Sequence, residues 1–219
     1  IYVYLSKHCG SCLENFSSIS KLFKIYQTPE LTIKIIWEEE TPPMKVLEKY
    51  EISTESSLFM DKSVKLSSSV PKYYIVDDNN NVVFVDNTIK KIVEKIQSLD
   101  IVDNNTLFTN AADYIVSSYV KQSGDDTIIY FTMEGCKDCQ FADTIIENIA
   151  KEHPFELIRI YSYHTEDPQR ICDKDAIFLN ALGIDWYPSF LILTESGQSF
   201  IGRTEEDELE SCIIDAFGK

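Results

Sequence analysis

Ile128-Ile129-Tyr130-Phe131-Thr132-Met133-Glu134-Gly135-Cys136-Lys137-Asp138-Cys139 is the stretch that decides the fold of this 219-residue chain. It opens on a short β-branched and aromatic run that reads as a buried strand, and it ends on two cysteines in Cys-x-x-Cys spacing. The same arrangement occurs at the start of the chain, where Ile1-Tyr2-Val3-Tyr4-Leu5 precedes Cys9 and Cys12. Each run begins eight residues before the first cysteine of its pair, and the pairs lie 127 positions apart (136 − 9). Such self-similarity marks an internal repeat.

The repeat extends outward. After the first pair, Phe16, Ile19, Phe23 and Tyr26 fall on one helical face; after the second, Ala142, Ile145, Ile146, Ile149 and Ala150 do. Pro29 and Pro154 stop these helices, and short strands follow at 31–37 and 155–161. Each half then holds a proline leading into an apolar strand, a polar turn and a second strand. The first is Val70-Pro71-Lys72-Tyr73-Tyr74-Ile75-Val76, turning at 77–81 into Val82-Val83-Phe84-Val85. The second is Tyr187-Pro188-Ser189-Phe190-Leu191-Ile192-Leu193, turning at Glu195-Ser196-Gly197 into Ser199-Phe200-Ile201. Amphipathic helices near 88–99 and 205–217 close the halves. The prolines lie 117 apart (188 − 71), ten fewer than the pairs, so the first half carries about ten extra residues, expected in the polar stretch 53–69. Residues from about 100 to 123 go with the second half, as an extra leading helix that includes Ala111, Ile115, Ser118 and Val120.

Composition narrows the function classes. With 44% hydrophobic and 26% charged residues, the chain has the make-up of a soluble protein with a real core. Aspartate and glutamate number 36 against 20 lysines and arginines, a formal charge of −16. That balance opposes nucleic acid and anionic membranes as partners, since both need a basic face. No apolar run is long enough to span a bilayer. The chain starts at Ile1, inside a strand, so an N-terminal segment is expected to have been removed.

The order strand, Cys-x-x-Cys, helix, strand, helix, proline, strand, strand, helix resembles the thioredoxin fold. Two such halves resemble tandem thioredoxin-like proteins such as protein disulfide isomerases and two-domain protein disulfide oxidoreductases. The resemblance implies an α/β protein of two tandem domains, 1–100 and 101–219, each a central mixed β-sheet flanked by helices. It also implies that Cys9 and Cys136 are nucleophiles and that Cys12 and Cys139 resolve the mixed disulfides. Pro71 and Pro188 would be cis and sit beside the pairs, with Val70 and Tyr187 offering backbone groups to an extended substrate. An ordinary trans proline that initiates a strand is the alternative.

The placement suits the chemistry. A cysteine where a strand feeds a helix N-terminus meets unpaired N–H groups and the positive dipole end, which stabilise its thiolate. A second thiol one turn inward can displace a mixed disulfide. A zinc site is the competing reading of Cys-x-x-Cys. Zinc ribbons separate their pairs by about 15–20 residues, however, and His8, His153 and His164 form no cluster with these cysteines. No metal or cofactor is expected.

The chain also departs from the thioredoxin pattern. His8 and Gly135, not tryptophan, precede the pairs. Val3 and Tyr130 stand six residues before the first cysteines, where the family keeps a buried carboxylate for proton transfer. Gly10-Ser11 and Lys137-Asp138 match no familiar subfamily dipeptide. Cys212 falls on the apolar face of the last helix, as a core thiol. Cys172 is expected in the helix before Pro188, with a regulatory thiol role left open. The runs Glu38-Glu39-Glu40 and Glu205-Glu206-Asp207-Glu208 read as a solvated loop and as the first turn of a helix, and neither has calcium-loop spacing.

These readings lead to a thiol–disulfide oxidoreductase acting on protein cysteines, with an upstream redox partner as a further expectation. The alternative is a tandem scaffold that binds partners with little or no turnover; the missing carboxylates favour it. A peroxide-reducing enzyme lacks its Pro-x-x-x-Thr/Ser-x-x-Cys context here. An extracytoplasmic setting (periplasmic, cell-envelope or secreted) is expected, with a cytoplasmic one left open. Lys7 and His8 surround Cys9 while Glu134, Lys137 and Asp138 surround Cys136, so the first site is expected to be the more oxidising.

Overall fold

In the computed structural model, residues 1–38, 43–59, 69–121, 126–162, 167 and 169–218 are described. The first half runs β1 (Tyr2–Leu5), α1 (Gly10–Glu14), α2 (Phe16–Tyr26), β2 (Lys34–Trp37), α3 (Met44–Lys49), β3 (Ser57–Phe59), β4 (Lys72–Val76), β5 (Val82–Asp86) and α4 (Ile89–Ser98). Helix α5 (Asn104–Tyr119) follows. The second half runs β6 (Thr127–Thr132), α6 (Lys137–Glu152), β7 (Glu156–Tyr161), β8 (Ile171–Cys172), α7 (Ile177–Ala181), β9 (Ser189–Thr194), β10 (Gly197–Ile201) and α8 (Glu206–Phe217).

Two five-stranded sheets result, ordered β3-β2-β1-β4-β5 and β10-β9-β6-β7-β8. Read from corresponding edges they are the same sheet. The Cys-x-x-Cys strand is central, parallel to the strand after its helix and antiparallel to the strand after the proline. Each unit is a thioredoxin-like α/β fold. A central strand covered on both faces is apolar throughout instead of alternating. Every residue of β6 is accordingly buried.

The contacts group the chain into two compact units, Ile1–Tyr114 and Ile115–Lys219. In the first unit, Asn110 Nδ2 of α5 donates to the Ile25 carbonyl at 3.0 Å. In the second, the Tyr119 ring meets the Phe178 ring edge-on at 6.3 Å. Phe16 stacks on Trp37 at 5.9 Å in the first core. In the second, Ile128, Ile146, Ile192 and Ile213 close around Tyr130 and Phe190, with half-buried Cys212 packed against them. Of the helical faces read from sequence, Phe16, Ile19 and Tyr26 are fully buried. Ala150 is exposed, because the second helix turns it away in its last residues.

Two edge strands had no sequence signal. β3 pairs with β2 and β8 with β7, both parallel. In the first unit the edge strand follows the intervening helix; in the second it precedes it. This overturns the placement of Cys172 in a helix: it lies in β8. The cause is Asp173, which is 1% exposed and accepts the backbone N–H groups of Ile177, Phe178 and Leu179 at 2.9–3.0 Å. That carboxylate satisfies the orphan donors of a helix start and so fixes α7 four residues later. Glu205–Glu208 behave as read, with Glu206, Asp207 and Glu208 in the first turn of α8. Glu39, Glu40, His164 and positions 60–68 of the expected insertion lie outside the described residues. No helix among the described residues is long and apolar enough to cross a membrane.

Candidate active sites

Cys9 and Cys136 hold equivalent positions. Both have extended backbone, both are the N-cap of the helix that follows, and each sulfur accepts the backbone N–H of the second cysteine of its pair at 3.1 Å. An N-cap residue ordinarily offers an oxygen to this donor; here a sulfur takes the role. Gly135, at φ +76°, makes the left-handed turn that carries the chain from β6 to Cys136.

Cys9–Cys12 and Cys136–Cys139 are disulfides, with Cα atoms 5.2 Å apart in each. The two members of a pair differ in access. Cys12 and Cys139 are buried, at 0% and 2% exposure, whereas Cys9 and Cys136 are partly open. The outer sulfur is therefore the one an incoming thiol can reach.

Val70-Pro71 and Tyr187-Pro188 are both cis. The Val70 carbonyl oxygen lies 3.6 Å from Cys9 Sγ, and the Tyr187 carbonyl oxygen 4.0 Å from Cys136 Sγ. Cys9, Cys12, Val70 and Pro71 thus gather in one unit, and Cys136, Cys139, Tyr187 and Pro188 in the other. Sequence separations of 61 and 51 residues are closed by the antiparallel pairing of the central strand with the post-proline strand.

The surroundings differ between units. Ser11 Oγ lies 3.2 Å from Cys9 Sγ, whereas its counterpart beside Cys136 is Asp138. Tyr130, at the position where thioredoxins keep a carboxylate, is fully buried and donates through Oη to the Cys139 carbonyl at 2.9 Å. It stacks on Phe190 at 5.0 Å, and the Arg159 guanidinium lies 5.8 Å from its ring centre. Burial pushes the Tyr130 phenol up to about 12. Arg159 in turn pairs with Asp143 at 3.0 Å.

Beside Cys136 opens a cleft of about 310 Å³ that includes Met133, Trp186 and Tyr187. Sequence reasoning named Tyr187 but passed over Met133 and Trp186. The available signal was the comparison of halves, since Ser6, Ser69 and Val70 stand where Met133, Trp186 and Tyr187 do.

No protein-family model matches the sequence, and a search of curated proteins returns no significant match. Among solved structures, the chain is similar to a secreted Mycobacterium tuberculosis disulfide oxidoreductase homologous to E. coli DsbE. That pair shares 15% identity over 42% of this chain and 82% of the other, with a TM-score of 0.34. The exposed lipoprotein thioredoxin of Streptococcus pneumoniae is similar at 12% identity, over 66% of this chain and 98% of its own, with a TM-score of 0.31. The N-terminal domain of PilB from N. meningitidis is similar at 20% identity, over 52% of this chain and 96% of its own, with a TM-score of 0.31.

Proposed function

We propose that this chain is a thiol–disulfide oxidoreductase that exchanges disulfides with protein cysteines at two sites, one in each unit. One repeated observation carries the reading: in both units the accessible sulfur of a Cys-x-x-Cys disulfide is a helix N-cap and faces the carbonyl that precedes a cis-proline.

In the oxidising direction a client thiolate attacks Cys136 Sγ and forms a mixed disulfide. The Cys136–Cys139 bond breaks, and its electron pair leaves on Cys139 Sγ, which takes a proton from water. A second client thiolate then attacks the client sulfur of the mixed disulfide, and Cys136 departs as a thiolate held by the Cys139 N–H. The client has lost two electrons to the cysteine pair. In the reducing direction Cys136 attacks a client disulfide and Cys139 resolves it. Cys9 and Cys12 repeat these roles. An extended client segment lies against Val70 and Pro71, or against Tyr187 and Pro188. An upstream thiol or disulfide partner resets each pair, and the exchange itself needs no cofactor or metal. An oxidising, extracytoplasmic compartment suits disulfides of this kind.

A second reading, a binding scaffold without turnover, is favoured by one feature. Val3 and Tyr130 occupy the proton-transfer position, and a phenol near 12 accepts no proton at neutral pH. Insulin reduction by dithiothreitol separates the two. Acceleration over buffer supports exchange; a rate equal to buffer favours the scaffold.

A further inference from the structure

Resting on exchange at Cys136, we propose that the second unit selects its clients by a large apolar side chain next to the reacting cysteine. Met133, Trp186 and Tyr187 would receive that side chain, on a client segment of positive charge.

The cleft of about 310 Å³ has Cys136 in its wall, so whatever fills it lies beside the residue that exchanges. Trp186 is 37% exposed, and Phe141, bordering a second depression on which Trp186 also opens, is 41% exposed. Two large rings exposed next to each other beside a reactive residue suit a recognition surface, where Trp, Tyr and Met are enriched. The Arg203 guanidinium lies 4.4 Å from the Trp186 ring centre and holds the indole in place before a client arrives. A ring fixed in advance loses little entropy on binding.

The first unit is the internal contrast. Serine replaces Met133 and Trp186 there, at Ser6 and Ser69, and Val70 replaces Tyr187. The same fold around the same chemistry thus lacks all three large side chains, so they are not needed to hold the pair or the proline.

Charge defines the rest of the occupant. Asp138, Asp185, Glu205 and Glu206 border the two depressions, against Lys137 and Arg203. None of these four carboxylates makes an ion pair among the described residues. The rim is negative, and the whole chain carries −16. Exposed ion pairs contribute little beside the burial of a large apolar side chain. The apolar contact therefore sets the preference, and the rim adds a smaller bias toward basic flanks.

The test uses the full chain carrying Cys9→Ser, Cys12→Ser and Cys139→Ser, which leaves Cys136 as the reporting thiol of the two pairs. Its substrates are symmetric peptide disulfides with Leu or Gly beside a single cysteine, each flanked by Lys or by Glu. Cys136 thiolate attacks one peptide sulfur, the Cys136–peptide bond forms, and the other peptide leaves as a thiolate with the electron pair. No outside oxidant or reductant enters. The Leu peptide should react about tenfold faster than the Gly peptide. Lys flanks should add about threefold over Glu flanks, a gain that disappears at high salt. Trp186→Ala should bring the Leu rate down to the Gly rate, and Trp186→Phe, which keeps a ring, should retain most of the preference. The matching chain with Cys12→Ser, Cys136→Ser and Cys139→Ser should show no Leu preference at Cys9. Equal Leu and Gly rates at Cys136, or the same preference at Cys9, would overturn the inference while leaving exchange intact. If no peptide reacts at either cysteine, the exchange reading falls and takes the inference with it.

Discussion

Tyr130 Oη donates a hydrogen bond to the backbone carbonyl of Cys139 at 2.9 Å, tying the central strand to the first turn of the helix that carries the buried cysteine. A phenol raised by burial to about 12 stays neutral through the range in which thiols exchange, so it positions Cys139 and does not take its proton. The group binds its proton more tightly in the folded state than at its ordinary value of 10. Its contribution is therefore complete below pH 10 and is lost as pH rises from 10 toward 12. Tyr130→Phe should cost about 1 kcal/mol at pH 7 through the lost bond. It should also flatten the alkaline fall in stability. Denaturant unfolding of both proteins between pH 7 and 12 checks this, and parallel pH curves would refute it.

The two sites should differ in reduction potential, the first being the more oxidising. The sulfur-to-amide bond is 3.1 Å in both, so the first helical turn does not distinguish them. Ser11 Oγ, 3.2 Å from Cys9 Sγ, can donate to a thiolate there. Asp138 in the corresponding place can only repel one. A pKa difference of one unit corresponds to about 1.4 kcal/mol, or about 30 mV for a two-electron couple. Ser11→Asp should lower the first potential by about that amount, and Asp138→Ser should raise the second. Redox titration of the full chain against glutathione, with each pair followed by mass spectrometry, measures both. Equal midpoints, or a more reducing first site, would sink the ordering.

Access predicts which variants trap clients. Cys12→Ser and Cys139→Ser remove the buried sulfur and leave the open one in place, so under the proposed exchange mixed disulfides with client thiols should accumulate. Cys9→Ser and Cys136→Ser should trap none at those sites. Non-reducing gels followed by peptide mapping read the outcome, and a reversed pattern would exchange the roles within each pair.

Thiol counting checks the pairing. Alkylation of the oxidised chain under denaturing conditions should modify Cys172 and Cys212 alone; after reduction, all six cysteines should react. Cys172 lies on an edge strand and Cys212 on the last helix, each half-buried. A mapped Cys172–Cys212 link would contradict this assignment.

Sequence alone determined the repeat, the strand–cysteine–helix junctions, both prolines and the hairpins after them. These are local signals, because strand and helix periods, proline and turn residues act within a few positions. The helix expected at Cys172 was not settled by such signals, since Cys172 lies in β8. Asp173 acts through three amides four to six residues ahead, which look like any other helix start in the sequence.

Tertiary structure decided the distances and the burial around the sulfurs. Val70 lies 61 residues from Cys9 and Tyr187 lies 51 from Cys136, and only the sheet register sets their carbonyls 3.6 and 4.0 Å from those sulfurs. Tyr130 read as a missing carboxylate in the sequence, but in the fold its hydroxyl reaches a backbone carbonyl and makes it a brace. Trp186 was one more aromatic residue until folding left it 37% exposed beside Cys136. Side-chain identity is written along the chain, whereas distance, burial and the local field arise only when separate segments are brought to the same point by packing.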